Sequence, residues 1–144
     1  MRKIEEIVIH CTATTGNDRG DVSVDEVRRW HMDGNGWSDV GYHFLIRRDG
    51  ALEVGRPLDK PGAHTKGHNK TTIGIAYTGG ICPEEGTAED TRTDEQKETL
   101  FDVLIALKRI FPGIRAVSGH RDHPGVRKAC PCFDVDQEFG FLFC

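Results

Sequence analysis

Two histidines follow predicted strands, at the positions where side chains of an open sheet can meet. His10 ends the apolar run of residues 4–10 (IEEIVIH), and His120 comes shortly after a second run, residues 114–118 (IRAVS). Runs of β-branched apolar residues predict buried strands, and functional groups collect at the carboxyl ends of strands in open sheets. The two imidazoles therefore converge if their strands are neighbours.

Cys130 is a candidate third member of the same site. It follows His120 in the segment HPGVRKACPC. Pro131 favours an extended conformation at Cys130, which places Lys128 on the same side of the chain as the thiol. A nearby ammonium group favours the thiolate, the form that binds metal. Two imidazoles and one thiolate, with a fourth position left for water, are typical of catalytic zinc.

Spacing alone leaves other ligand sets open. His123, Cys11 and Cys132 could each replace a member of the set, and a fourth protein ligand, Cys132 or His123, would make a structural zinc site instead. Because successive side chains of a strand face opposite ways, we expect Cys11 to point away from His10. The competing interpretation is a set of buried thiols and surface imidazoles without a metal.

Composition limits the classes of protein to which the chain can belong. Its 144 residues are 37% hydrophobic and 29% charged, which predicts one soluble domain spanning residues 1–144. A net charge of −4 gives no support to a nucleic-acid or anionic-membrane partner. No apolar run approaches the ~18 residues of a membrane span. Five cysteines, an odd number, exclude a complete disulfide framework.

Capping patterns and apolar periodicity predict the elements that must position these side chains. One helix opens at a capping box on Ser23 and stops at Gly34, and a longer helix opens at a capping box on Thr93 and ends before Pro112. Strands are predicted at residues 4–10, 42–48, 51–54, 73–77 and 114–118. The order β-α-β-β-β-α-β predicts a mixed α/β fold, with one sheet flanked by helices.

Five segments match one protein family in the order in which they occur. They are IVIHCTAT (7–14), VRRWHMDGNGWSDVGYHFLIRRDG (27–50), GAHTKGHNKTTIGI (62–75), TDEQ (93–96) and GHRDHPGVRKACPCFD (119–134). The chain thereby resembles the zinc-dependent N-acetylmuramoyl-L-alanine amidases, whose fold is shared by phage lysozyme-type amidases and peptidoglycan recognition proteins. The resemblance covers nearly all of the chain, and the phage-type members look most similar.

The resemblance assigns roles to individual residues. It implies one Zn²⁺ per chain at the floor of an open cleft, bound by His10, His120 and Cys130. It implies that Tyr42, in GYHF, and Lys128, in KACP, are catalytic. The substrate-binding residues that it implies are His64, Trp37 and Asn69.

The activity implied is hydrolysis of the amide between the lactyl group of N-acetylmuramic acid and the L-alanine of the stem peptide. Zinc would activate the carbonyl and the attacking water, while Tyr42 and Lys128 stabilise the oxyanion and pass a proton to the departing amine. The alternatives within the same fold are a muramyl-peptide-binding module without turnover and a regulatory protein.

The resemblance also sets expectations for partners and location. We expect a monomer that acts on peptidoglycan or soluble muropeptides, without a nucleic-acid or membrane partner and without a separate cell-wall-binding domain. The N-terminal residues MRKIEEIVIHC are not typical of a signal peptide. We therefore expect a phage- or prophage-type lysin that is made in the cytoplasm and reaches the cell wall after release, or a cytosolic amidase that acts on recycled muropeptides. Two departures from the family pattern stand out: Cys132 replaces a small residue, and the tail after Asp134 either completes the core or marks a fragment.

Overall fold

The described residues form one five-stranded mixed sheet. The computed structural model of the protein describes residues 1–16 and 21–144. The strands are β1 (Glu6–Cys11), β2 (Phe44–Ile46), β3 (Leu52–Val54), β4 (Thr72–Tyr77) and β5 (Ala116–Gly119). Their order across the sheet is β3-β2-β4-β1-β5, with antiparallel pairing only between β2 and β3. This agrees with the predicted mixed sheet.

The position of β1 between β4 and β5 brings the two predicted strand ends together. β1 pairs in parallel with β5 on one side and with β4 on the other, and Ile9 lies opposite both Gly119 and Ile75. His10 follows Ile9 within β1, and His120 follows Gly119 directly after β5, so the two histidines are neighbours at this edge of the sheet. The condition on which the predicted convergence depended, that the two strands are neighbours, is therefore met.

Helices cover the sheet from both faces. α1 (Val24–Arg29) begins at Ser23, whose Oγ accepts a hydrogen bond from the backbone N–H of Glu26 at 3.2 Å, and it continues as a π-helical turn over Trp30–Gly34. α2 (Asp94–Ile110) begins at the complete capping box of Thr93 and Gln96. A short α3 (Val135–Phe139) and 3-10 turns at Asn69–Thr71, His120–Asp122 and Gly140–Phe143 complete the elements. Both predicted helix starts are confirmed.

The alternation of side chains along β1 separates the core from the candidate site. Ile7, Ile9 and Cys11 belong to the main hydrophobic core, which α2 and the C-terminal segment cover. The smaller core on the other face contains Leu45 and Val27, from β2 and α1. Cys11 therefore belongs to the core on the face opposite His10, although its thiol also hydrogen-bonds to that of Cys130. None of the helices in the described ranges has the length and apolar character needed to cross a membrane.

The C-terminal segment is an integral part of the core. Its apolar residues Val135, Phe139 and Leu142 are buried in the main cluster. The buried guanidinium of Arg92 bonds to Glu138 of α3 at 2.6 Å and lies 3.4 Å from the centroid of the Phe133 ring. The apolar residues of the tail therefore belong to the main core.

Candidate metal centre and its groove

Three side chains from distant parts of the chain form a compact group of nitrogen and sulfur donors. The donor atoms of His10, His120 and Cys130 all lie within 4.8 Å of one another. The rings of the two histidines are 4.6 Å apart between centroids. His10 is almost fully buried, whereas His120 and Cys130 are half-buried and reach the surface. The group therefore lies at the bottom of an opening rather than inside the core.

Hydrogen bonds from the sheet hold the loop that delivers Cys130. The backbone N–H of Cys11 donates to Cys130 Sγ at 3.2 Å, and the backbone N–H of Arg121 donates to the Cys130 carbonyl oxygen at 2.8 Å. The next carbonyl oxygen, that of Pro131, accepts a 2.6 Å hydrogen bond from the Tyr77 hydroxyl. The Cys130–Pro131 peptide bond is cis. The thiol is thus fixed beside the ends of β1 and β4.

The charge states of the three donors suit a metal ion. Burial lowers the pKa of His10 well below its ordinary value, and burial together with the charge of Lys128 lowers that of His120. Hydrogen bonds from the thiol and backbone of Cys11, aided by Lys128, lower the pKa of Cys130 although burial opposes this. Neutral imidazoles and a thiolate are the ligands that zinc prefers, so the residues present fit this ion.

The alternative ligands considered from spacing do not enter this group. Cys132 Sγ donates to the carbonyl oxygen of Gly80 at 3.5 Å, and His123 Nε2 lies 2.9 Å from Ser118 Oγ. Over residues 1–16 and 21–144, the only cluster of three or more potential metal ligands is that of His10, His120 and Cys130. Three protein ligands leave a coordination position open, which is the pattern of a catalytic rather than a structural site.

Tyr42 and Lys128 both lie beside this group and differ in exposure. The half-buried Tyr42 ring has its centroid 5.1 Å from that of His10, and burial raises the pKa of its hydroxyl, with the nearby thiols adding to the shift. Lys128 is exposed on the loop of Cys130, and the two residues line one pocket of ≈ 280 Å³. Both side chains are therefore next to the candidate metal ligands.

A second pocket collects the three residues expected to bind substrate. Trp37, His64 and Asn69 line a depression of ≈ 390 Å³, called here the His64 pocket. Asn69 Oδ1 accepts hydrogen bonds from the backbone N–H groups of His64 and Thr65, both at 2.9 Å. The Oδ1 atom of Asn69 therefore holds the loop in place. Its Nδ2 atom is the one that can contact a ligand. His64 also bonds to the metal group, because its Nδ1 lies 2.9 Å from His10 Nε2.

His31 is a structural member of the site that the sequence did not single out. Its Nδ1 accepts a hydrogen bond from the backbone N–H of Gly41 at 2.8 Å. Its ring packs edge-on against Trp37 at 4.8 Å and Tyr42 at 5.5 Å between centroids. It thus connects the aromatic wall of the His64 pocket to the tyrosine. The segment 27–50 was noted for its resemblance, but spacing gave no sign of these ring contacts.

Comparison with known proteins gives a consistent result. The profile of the family described as N-acetylmuramoyl-L-alanine amidase matches residues 1–133. The chain is 42% identical to the endolysin of Klebsiella phage KP32 over 134 residues, 93% of this chain and 84% of that protein. It is 41% identical to the endolysin of Enterobacteria phage K11 over 136 residues, 94% and 85% of the two chains. Among solved structures, the amidase LysC from Clostridium intestinale URNW superposes with a TM-score of 0.76 at 26% identity, covering 96% of this chain and 87% of LysC.

Proposed function

The chain belongs to the N-acetylmuramoyl-L-alanine amidase family and is a peptidoglycan amidase, and we propose that its active centre is a zinc site formed by His10, His120 and Cys130. The bond cleaved is the amide between the lactyl group of N-acetylmuramic acid and L-alanine. The observation that carries the proposal is the meeting of three donors, two imidazoles and one thiol, within 4.8 Å of one another.

Zinc would supply Lewis acidity to the reaction, and the side chains of the protein would hold the ion and leave room for the substrate. When bound, zinc supplies Lewis acidity, which polarises an amide carbonyl and activates water near neutral pH. His10, His120 and Cys130 hold the ion in a site that is buried on one side, where electrostatic interactions are stronger than in water. Because His10 is buried whereas His120 and Cys130 reach the surface, the outer side of the group is open to a substrate.

Tyr42 and Lys128 are the groups proposed to act on the reacting amide. Among the described residues the Tyr42 hydroxyl has no hydrogen-bond partner, and its raised pKa keeps it a neutral donor at physiological pH. Lys128 contributes an exposed positive charge beside Cys130. We assign them to stabilise the negative charge that develops on the carbonyl oxygen and to deliver a proton to the departing amine.

The His64 pocket is proposed to bind the muramyl-peptide next to the metal. Trp37 is partly exposed and offers an aromatic face, while Asn69 offers an amide donor. An apolar ring combined with a few convergent polar groups is typical of sites for small ligands. Because His64 lies in this pocket and bonds to His10, a bound ligand is held beside the proposed reaction centre.

We extend the proposal to the setting in which the enzyme works. Residues 1–144 form one catalytic domain that works as a monomer. The relatives named above are phage endolysins, which supports a prophage-type lysin that is made in the cytoplasm and released to the cell wall.

Mass spectrometry of purified muropeptides tests the proposed reaction directly. Zinc-loaded protein should release free stem peptides that begin with L-alanine. A chelator should abolish the release, and added zinc should restore it. Protein that carries one zinc per chain and yet leaves the amide intact would contradict the proposal.

A further inference from the structure

A chain of hydrogen bonds runs from a candidate metal ligand to a backbone carbonyl. His10 Nε2 lies 2.9 Å from His64 Nδ1, and His64 Nε2 lies 3.2 Å from Thr72 Oγ1. Thr72 Oγ1 in turn donates to the carbonyl oxygen of His68 at 2.9 Å. All three side chains are buried. The chain begins at the metal group and ends at a group that can only accept.

The terminal carbonyl determines the direction of every bond in this chain. A hydroxyl has one hydrogen, and Thr72 uses it on the His68 carbonyl. Thr72 Oγ1 must then accept from His64 Nε2, so that this nitrogen carries a hydrogen. In a neutral imidazole the other nitrogen is an acceptor, so His64 Nδ1 accepts from the Nε2–H of His10. The opposite arrangement would place lone pairs of His64 and Thr72 against each other at 3.2 Å.

We propose that His64 and Thr72 are positioning residues that hold His10 as the Nε2–H tautomer and thereby direct its Nδ1 lone pair towards the metal. Only this part of the inference, the direction towards a metal, rests on the proposed function. A ligating histidine is oriented by the hydrogen bond that its other nitrogen makes, and the partner also increases its basicity. Here the partner is a second histidine that lies in the proposed substrate pocket.

Close backbone packing fixes the position of the His64 ring. A Cβ at Gly74 would lie 2.5 Å from His64 Cγ, and a Cβ at Gly62 would lie 2.6 Å from its Cδ2. Two residues without side chains therefore flank the imidazole. Thr65 Oγ1, at 3.0 Å from His64 Nδ1 and 3.4 Å from His10 Nε2, lies beside the same bond and is compatible with the proposed direction.

Nuclear magnetic resonance of the metal-free, unmodified protein tests the tautomer without any substitution. Long-range ¹H–¹⁵N spectra distinguish a protonated ring nitrogen from one with a lone pair. We expect His10 and His64 both to show a protonated Nε2 and an unprotonated Nδ1. A protonated Nδ1 on His10 would overturn the inference.

Zinc affinity, measured with zinc alone against a chelating dye, tests the consequence. Thr72→Val removes the acceptor at nearly constant shape, and His64→Leu removes the partner of His10. Changes in such supporting residues weaken metal affinity by about 10–100-fold. We expect losses in this range for both variants, and a change of less than about threefold for Thr72→Ser and for His64→Asn, whose amide oxygen can replace Nδ1 as acceptor.

His68→Asn is the matched control, because it removes an imidazole but keeps the carbonyl that ends the chain. Its zinc affinity should equal that of the unmodified protein. Equal affinities for Thr72→Val and Thr72→Ser would contradict the inference. If Thr72→Val does not fold, the tautomer of His10 in the unmodified protein still tests the inference. Neither measurement requires turnover, so a missing amidase activity would count against the proposed function alone.

Discussion

The hydroxyl of Tyr77 donates a 2.6 Å hydrogen bond to the carbonyl oxygen of Pro131, the residue after the candidate ligand Cys130. Tyr77 ends β4 and is 1% exposed, and its ring lies within the main core. A side chain from the centre of the sheet therefore holds the loop that carries the sulfur donor. The position of the metal centre depends on a residue that does not belong to it.

Tyr77→Phe is expected to weaken both stability and zinc binding. The change leaves the buried Pro131 carbonyl without its donor, which costs about 1–3 kcal/mol of the free energy of unfolding. Zinc affinity should fall as well, because the Cys130 loop loses its link to the sheet. Urea unfolding and competition with a chelating dye measure the two effects. Unchanged affinity would show that the loop is held without this bond.

Tyr42→Phe also removes a tyrosine hydroxyl, but we expect it to lower kcat and to leave stability and zinc binding unchanged. The Tyr42 hydroxyl has no partner to lose among the described residues, so stability and zinc content should stay the same. If it stabilises the developing oxyanion, its loss costs about 2.7–4 kcal/mol, or a factor of ~10²–10³ in kcat. Steady-state hydrolysis of muropeptides measures this, and a kcat near that of the unmodified enzyme would remove Tyr42 from the mechanism.

Lys128→Ala should also reduce kcat by a factor of ~10²–10³ while the protein remains folded. Lys128 is exposed, so little packing is lost with its side chain. Lys97→Ala is the control, because Lys97 is an equally exposed lysine on α2, the helix that covers the opposite face of the sheet. Equal turnover by the two variants would contradict the role of Lys128.

Cys130→Ser and Cys132→Ser should differ in zinc content. Cys130 belongs to the group of three donors, whereas the Cys132 thiol is directed to the Gly80 carbonyl oxygen. We therefore expect Cys130→Ser to lose bound zinc and Cys132→Ser to keep one ion per chain. Elemental analysis of the purified variants measures this. Zinc loss in Cys132→Ser would indicate that the second thiol takes part in binding.

Arg92→Met should destabilise the fold by about 1.5–3 kcal/mol at neutral pH, because it removes charge-assisted hydrogen bonds to Asp90 and Glu138, two partly exposed carboxylates. Burial opposes ionisation of Asp90, but hydrogen bonds from Arg92 outweigh it and lower the pKa of this carboxyl. A lowered pKa in the folded state adds stability above the pKa of the unfolded chain, and acidification removes it. The difference between the two proteins in urea unfolding should therefore narrow as the pH falls through the acid range.

Arg115→Met provides the comparison for this ion pair. Arg115 lies 3.5 Å from Glu5, and its side chain is 77% exposed. Exposed ion pairs contribute about 0–1 kcal/mol, so this variant should be nearly as stable as the unmodified protein at every pH. A loss as large as that of Arg92→Met would show that removal of positive charge, rather than the buried pair, is responsible.

The convergence of His10 and His120 could be predicted from sequence because it depends on local patterns, whereas spacing alone did not single out Cys130. Apolar runs located β1 and β5, and the ends of neighbouring parallel strands share one edge of a sheet. The adjacency itself came from the structure, where Ile9 lies opposite Gly119. The capping boxes likewise gave both helix starts, since a cap joins residues only a few positions apart.

Contacts between distant segments could not be predicted in this way. Gln96 was expected as part of a cap, but its Nε2 also donates to the carbonyl oxygens of Ile46 and Thr78, at 3.1 and 2.9 Å. His64 was assigned to substrate, and nothing in its neighbourhood indicated a bond to His10. The π-helical turn at Trp30–Gly34 was expected as ordinary helix, because the apolar spacing is too coarse to distinguish the two over one turn.

Because His10 and Cys130 are far apart in the chain, a metal bound at this site would also stabilise the fold. The donors meet only when β1, β5 and the last loop are all in place, so an unfolded chain offers no comparable site. An ion that binds only the assembled protein stabilises it by RT ln(1 + [L]/Kd), about 4 kcal/mol at 1,000 times Kd. Zinc would then act as a reversible cross-link between distant segments of the chain. The resistance of the protein to heat and proteases would increase with the concentration of free zinc, even in the absence of cell wall.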